Sequence, residues 1–326
     1  MISDLSSGLL SGLRKLVIHN GRVQAGERVV VVTDANMEPI ADSLLCVLGS
    51  IAASVKKQVI PRRERDGQEP PDEAAAAMAE ADVIFTPVSR SITHTRAMKV
   101  ALNNGARAIL MTAHHERVLS CDALLTTNFE QQAPECHMIA AALRNGCMLR
   151  VSSPKGTDLR IPIQGRPVNV LTGIPRRGEL APVPTIEVNV VPEHGKAEGV
   201  LIADGSIPYL GIGVLTEPVV CEVRAGYITS IKGGAQAAQF AAILKSHGHP
   251  ECYNVAELGI GLNPHAKLTG FMLEDEGVFG SIHVGIGTSL TLGGEIVAPT
   301  HYDLIALDAR LEIDGRLVMQ DRMVVA

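Results

Sequence analysis

The first half of the chain alternates between short apolar runs and segments with helical spacing. Residues 29–33 form a continuous β-branched run, and residues 82–88 and 106–112 contain further short apolar runs. Each run is next to a stretch whose apolar positions recur every three or four residues. This alternation predicts βαβ units and a mainly parallel sheet. Residues 3–19 show helical spacing too, so we expect a helix to open the chain.

From Met148 onward the pattern changes to short alternating segments separated by Gly and Pro, which is typical of antiparallel strands. One helical segment, residues 237–248, interrupts these strands. We therefore predict an α/β protein with two domains. Residues 1–147 are expected to form a doubly wound, mainly parallel domain. Residues 148–326 are expected to form a Gly-rich antiparallel β (α+β) domain.

Composition narrows the possible functions. The 326 residues can form two ordinary domains with their own cores. A net charge of -6 and only 3% aromatic residues argue against a nucleic-acid surface. No stretch reaches the ~18 apolar residues of a membrane span, and the six cysteines show no C-x-x-C pair. We expect a cytoplasmic protein that acts on a small molecule, with neither nucleic acid nor membrane as a partner.

The C-terminal half contains a candidate metal site. His301 and Asp303 are two residues apart, so on a strand both side chains point to one face and can share a cation. Imidazole with carboxylate suits zinc, manganese or ferrous iron. The alternative is that the pair is simply two surface residues of a turn before a strand.

A second candidate lies in the first half, in the segment that follows residues 82–88. Ligands of open parallel sheets bind beyond the carboxyl ends of the strands, and Arg90 and His94 are at such a position. We expect both residues to bind substrate and His94 to take part in catalysis, across a cleft from the metal. The alternative is that Ser91 or Thr93 caps a helix and that His94 is merely exposed.

The order AELGIGLNP, DEGVFGSIHVGIG and THYDLI resembles the C-terminal half of the M29 (aminopeptidase T-like) metallopeptidases. The upstream segment TIEVNVVPEHGKAEGVLIADGSIP resembles another ligand segment of that family. The resemblance implies a homodimer that holds one or two divalent ions (Zn, Mn or Co). The implied ligands are Glu187, Glu257, His283, His301 and Asp303.

The expected activity is metal-dependent hydrolysis of an amide or peptide C–N bond by metal-activated water, with Glu257 as general base. The same scaffold occurs in the 2,5-dihydroxypyridine dioxygenases, which suggest the alternative: an Fe²⁺ enzyme that opens a hydroxylated pyridine. In those enzymes a histidine stands in place of Glu257, and apolar residues stand near Glu187 and His283. In the peptidases, a catalytic tyrosine stands where this chain has Leu290.

Overall fold

The computed structural model describes residues 6–51, 54–208 and 210–325. The chain forms two compact units. Unit 1 consists of Met1–Glu130 and Leu171–Pro184, and unit 2 consists of Gln131–Val170 and Thr185–Ala326. The predicted division at residue 147 differs from this one because residues 171–184 return to unit 1, where they add a strand to its sheet.

The helices and strands alternate in the first half, and strands predominate in the second. The helices are α1 (Ser7–Lys15), α2 (Glu38–Gly49), α3 (Asp72–Glu80), α4 (Arg96–Asn103), α5 (Glu116–Leu119), α6 (Asp122–Leu125), α7 (Phe129–Asn145), α8 (Ala235–Ser246) and α9 (Met272–Asp275). The strands are β1 (Arg28–Asp34), β2 (Ser54–Ile60), β3 (Val83–Thr86), β4 (Arg107–Leu110), β5 (Met148–Ser152), β6 (Asp158–Pro162), β7 (Val168–Leu171), β8 (Leu180–Pro182), β9 (Glu187–Val190), β10 (Glu198–Ala203), β11 (Ser206–Ile207), β12 (Gly213–Val214), β13 (Val219–Arg224), β14 (Tyr227–Lys232), β15 (Val255–Gly261), β16 (Ile282–Gly287), β17 (His301–Ala306), β18 (Arg310–Ile313), β19 (Arg316–Gln320) and β20 (Met323–Val324).

Unit 1 contains a five-stranded sheet in the order β2-β1-β3-β4-β8, with every pair parallel. Its central strands are buried throughout from Val29 to Asp34 and along β3 and β4, which explains their continuous apolar runs. Helices α3 and α4 supply buried residues to one core cluster with these strands, including Met78 and Met98. The predicted parallel sheet is confirmed. The expected opening helix is present from Ser7, and residues 3–5 lie outside the described part of the chain.

Unit 2 is built from antiparallel strands, as the sequence predicted. One sheet has eight strands in the order β14-β13-β10-β6-β5-β18-β19-β20. A second has five strands in the order β17-β16-β15-β9-β7, and β11 and β12 form a small pair. Helix α8 packs against β13 and β14, and its Phe240 is fully buried. None of the described helices has the length and apolar character needed to cross a bilayer.

Candidate metal centre

The five-stranded sheet of unit 2 brings all five candidate ligands to one face. Strand β15 pairs with β16 and β16 with β17, so that Glu257 and Asp303 both lie opposite Gly285. Side chains two residues apart on a strand share a face, which places His283 and His301 beside them. Glu187 joins the same face from β9, where it pairs with Gly261 of β15.

Glycines keep this face open. Each ligand is opposite a glycine on the neighbouring strand: His283 pairs with Gly259, and His301 pairs with Gly287. A Cβ atom on Gly259 would lie 1.9 Å from His283 Nε2, and one on Gly285 would lie 2.6 Å from His301 Nε2. Larger residues at these positions would therefore occupy the space that the imidazoles need.

The side chains form two overlapping groups that share Glu257. In the first group, His301 Nε2 is 3.0 Å from Glu257 Oε2 and 3.3 Å from Asp303 Oδ1. In the second, His283 Nε2 is 3.5 Å from Glu187 Oε2 and 3.8 Å from Glu257 Oε1. Within each group the potential ligand atoms all lie within 4.8 Å of one another. Each group has the size and donor types of a metal site.

The tautomer of His301 follows from its hydrogen bond to the backbone. Its Nδ1 is 2.8 Å from the carbonyl oxygen of Thr288. Because a carbonyl only accepts, Nδ1 carries the proton, which leaves Nε2 directed at the two carboxylates and available to a cation. Glu187 is also fixed, because Asn189 Nδ2 donates a hydrogen bond of 2.9 Å to its Oε1.

Electrostatics within the cluster favour protonated imidazoles when no cation is present. Burial alone lowers the pKa of His283, but the charges of Glu187 and Glu257 outweigh burial and raise it to about 9. Burial also opposes protonation of His301, yet Asp303 and Glu257 raise its pKa well above the ordinary value. In the metal-free protein, the positive charge of the protonated imidazoles thus balances the carboxylates, as a metal ion would.

The carboxylates respond in opposite directions. Burial raises the pKa of Glu187 to about 7, against the opposing effect of His283. Burial also acts to raise the pKa values of Asp303 and Glu257, but the nearby imidazoles outweigh burial and hold both pKa values below their ordinary values. Glu276, directly after α9, is buried and hydrogen-bonded with Asp303. Its burial and the charge of Asp303 raise its pKa well above the ordinary value, which favours the protonated form of Glu276.

The donor set fits a divalent metal. Glu187 Oε2 is buried and accepts no hydrogen bond from any described residue, although a buried carboxylate oxygen normally has a partner. Imidazole nitrogens with carboxylate oxygens suit first-row divalent ions, including iron and manganese. A cation among these atoms would supply the missing partner.

Sequence reasoning overlooked four residues of this centre: Asn189, Glu276, Gly259 and Gly285. The glycines leave a recognisable pattern, E-x-G-x-G at 257–261 and H-x-G-x-G at 283–287, in which the period of two matches a strand. Asn189 is two residues after Glu187 and shares its face for the same reason. Glu276 follows a short helix, and no local signal in the sequence connects it with Asp303.

The chain that carries this site matches a known protein family. The family model for 2,5-dihydroxypyridine 5,6-dioxygenase (NicX) matches residues 10–326, nearly the whole chain. The chain belongs to the 2,5-dihydroxypyridine 5,6-dioxygenase family. A curated relative, the 2,5-dihydroxypyridine 5,6-dioxygenase of Pseudomonas putida KT2440, is 26% identical over 266 residues, which cover 78% of this chain and 73% of the relative.

Two solved structures share the fold of this dioxygenase-family chain. The 2,5-dihydroxypyridine dioxygenase from Pseudomonas putida KT2440 aligns with a TM-score of 0.84 at 21% identity, covering 99% of this chain and 98% of that one. AmpT from Thermus thermophilus aligns with a TM-score of 0.68 at 17% identity, covering 98% and 99%. The scaffold that dioxygenases and aminopeptidase T-like proteins were expected to share is confirmed.

The prediction of an M29-type hydrolase is wrong. The dioxygenase family model spans the chain, whereas the likeness to AmpT shows the fold alone. The prediction failed because carboxylates and imidazoles serve hydrolytic metals and iron alike, so the donor set could not separate the two reactions. Leu290, which stands in the place of the peptidases' tyrosine, was the sequence feature that argued against hydrolysis. The broader expectation of a metal-binding enzyme agrees with the family and with the cluster.

Arg90 and His94 lie in unit 1, on the loop between β3 and α4, whereas the metal cluster lies in unit 2. Arg90 is half-exposed and lies 3.7 Å from Asp66, and His94 is exposed. Neither Ser91 nor Thr93 caps α4; the cap is Thr95, whose side chain accepts a hydrogen bond from Met98. The roles of Arg90 and His94 in substrate binding stay predictions.

Proposed function

We propose that this protein is a ferrous-iron dioxygenase that opens the ring of a dihydroxylated pyridine such as 2,5-dihydroxypyridine. The observation that carries the proposal is the family match over residues 10–326. The curated relative from Pseudomonas putida, which carries that activity in its name, supports the proposal. The buried cluster of imidazoles and carboxylates supplies suitable ligands.

His301, Asp303 and Glu257 are the proposed ligands of the catalytic ion, and Glu187 and His283 form the second ligand group through the shared Glu257. When bound, ferrous iron supplies open coordination positions and the one-electron chemistry that O2 requires. With Glu257, this set of three ligands contains two carboxylates and one histidine, whereas a facial triad of two histidines contains one carboxylate. Manganese is therefore the competing ion to test, since carboxylate ligands also suit Mn²⁺.

The surrounding residues favour the protonation states and the positions in which the ligands can bind a metal. The carbonyl of Thr288 keeps the His301 proton on Nδ1, which leaves Nε2 free for the metal. Glu276 is hydrogen-bonded with Asp303, and because the pKa of Glu276 is raised while that of Asp303 is lowered, the pair favours a negative charge on Asp303. Gly259 and Gly285 keep the space around both imidazoles open.

The overall reaction balances without a further reductant. Both atoms of O2 enter the substrate, and the bond between ring carbons 5 and 6 breaks. Former carbon 5 becomes a carboxylate, and former carbon 6 becomes an N-formyl group. In this proposal His94 takes part in catalysis and Arg90 in substrate binding, as predicted from the sequence.

The test uses protein purified without air and loaded with Fe²⁺, Mn²⁺ or Zn²⁺. We expect the Fe²⁺ protein to consume one O2 per 2,5-dihydroxypyridine and to place both atoms of isotopically labelled O2 in the product. The Zn²⁺ protein should be inactive because zinc has no redox chemistry. 2-Hydroxypyridine, which lacks the second hydroxyl group, is the control substrate.

Two variants connect this activity with the cluster. His301→Ala should lose metal and activity, whereas His137→Ala, at an exposed position on α7, should keep both. The proposal is refuted if Fe²⁺-loaded protein with a full metal content takes up no O2 with 2,5-dihydroxypyridine.

A further inference from the structure

A short loop between β16 and β17 is connected to the metal cluster at both of its ends. We call it the TSLTLGG loop; it comprises residues 288–294 and contains a 3-10 turn, Leu290–Leu292. The backbone N–H of Gly294 donates to the Ser289 carbonyl, and Gly293 adopts a left-handed conformation at φ 94°. Leu290 is 54% exposed. The loop thus folds back on itself and presents an apolar side chain to solvent.

The first connection runs through His301. The carbonyl of Thr288 accepts a hydrogen bond of 2.8 Å from His301 Nδ1, while Nε2 of the same ring is 3.0 Å from Glu257 Oε2. The imidazole therefore joins the start of the loop to the ligand cluster. A change in the position of either group alters the hydrogen bond that fixes the other.

The second connection runs through two asparagines. Asn169 of β7 donates from Nδ2 to the carbonyl of Leu292, at 3.1 Å, and to Oδ1 of Asn189, at 2.8 Å. Asn189 in turn donates from Nδ2 to Glu187 Oε1 at 2.9 Å, and it is 1% exposed. Because both the oxygen and the nitrogen of the Asn189 amide are engaged, its orientation is fixed. The chain of bonds ends on the group of ligands that contains His283.

We propose that Asn169 and Asn189 are positioning residues that couple the TSLTLGG loop to the metal centre, so that metal binding and ordering of the loop reinforce each other. The reinforcement is reciprocal: if a bound ion stabilises the loop, the ordered loop must strengthen ion binding by the same factor. The inference rests on the metal site of the proposed function, and it does not depend on the reaction that follows.

The experiment measures Mn²⁺ affinity by calorimetry and amide hydrogen exchange at Gly293 and Gly294 by mass spectrometry, with and without Mn²⁺. Substrate is absent. In the wild type we expect Mn²⁺ to slow exchange at these amides about tenfold or more. Asn189→Ala should weaken Mn²⁺ binding about 10–100-fold, the usual effect of removing a partner of a metal ligand.

Asn169→Ala breaks the connection at Leu292, next to the two glycine amides that are measured, and leaves the Asn189–Glu187 and His301–Thr288 hydrogen bonds in place. It should weaken Mn²⁺ binding less than Asn189→Ala does, while the Mn²⁺-dependent slowing of exchange is lost. Asn103→Ala, at an exposed position near the end of α4, is the matched control and should behave like the wild type. A purely structural role would change exchange equally with and without the ion.

Asn189→Asp provides a second variant of nearly the same shape if the alanine variant does not fold. Its carboxylate still accepts from Asn169 but cannot donate to Glu187, so weaker Mn²⁺ binding is again expected. Loop exchange that ignores Mn²⁺ in the wild type, or that still responds in Asn169→Ala, overturns the coupling. Absence of Mn²⁺ and Fe²⁺ binding in the wild type overturns the metal site itself.

Discussion

Replacing Gly285 by alanine tests whether the open face of the five-stranded sheet is what permits a metal site. The new Cβ atom would lie 2.6 Å from His301 Nε2 and 2.8 Å from the Cβ atom of Glu257. Non-bonded atoms of this kind settle about 3.5 Å apart, so the imidazole must retreat by roughly 0.9 Å. Metal–ligand distances tolerate only about ±0.2 Å. The alanine therefore removes His301 as a ligand.

We expect Gly285→Ala to lower metal affinity about 100-fold and to destabilise the metal-free protein by about 1–3 kcal/mol, the usual cost of overpacking. Calorimetric titration with Fe²⁺ or Mn²⁺ gives the affinity, and urea unfolding in the presence of chelator gives the stability. Gly49→Ala is the control, because a Cβ atom there meets nothing within 4 Å and Gly49 ends a helix.

Gly259→Ala complements this variant. Its Cβ atom would lie 1.9 Å from His283 Nε2, so it displaces the imidazole of the second ligand group. A Gly285→Ala protein that binds metal as tightly as the wild type would refute the reasoning from the open face. It would also remove His301 from the proposed ligand set.

Three further predictions concern pH and catalysis. Metal ligands must lose their protons before they bind, and the pKa of His283 is about 9 without metal. Metal affinity should therefore rise between pH 6.5 and 9, by up to tenfold per pH unit for each proton released. Calorimetric titrations that give the same affinity across this range would contradict the prediction. The raised pKa of His283 also stabilises the metal-free fold. This contribution is fully present below about pH 6.5, the pKa of histidine in the unfolded chain, and should be lost as the pH rises through 9. Urea unfolding in the presence of chelator measures it. His94→Ala should lose ring-cleaving activity at unchanged metal content, and wild-type turnover in that variant would exclude His94 from catalysis.

Local pattern alone was sufficient for much of the fold. The β-branched run at 29–33 contributed to the prediction of a parallel sheet, and strand β1 is buried from Val29 onward because parallel strands are covered on both faces. Alternation after Met148 likewise predicted antiparallel strands. The return of Leu180–Pro182 to the first sheet was not predictable, since a three-residue strand carries no periodicity and its pairing with β4 is a long-range choice.

The candidate ligands were also named from the sequence, through the spacing of His301 and Asp303 and a family resemblance. The reaction was not decided from the sequence: hydrolysis was the first expectation and ring cleavage the alternative, because the same donors serve hydrolysis and oxygen chemistry.

Only the tertiary structure decided that Glu257 is shared by two ligand groups, that glycines face the imidazoles, and that Glu276 meets Asp303. These relations depend on the register between strands that are distant in sequence. Register is set by the packing of the whole sheet, whereas spacing along the chain fixes only which face of its own strand a side chain occupies.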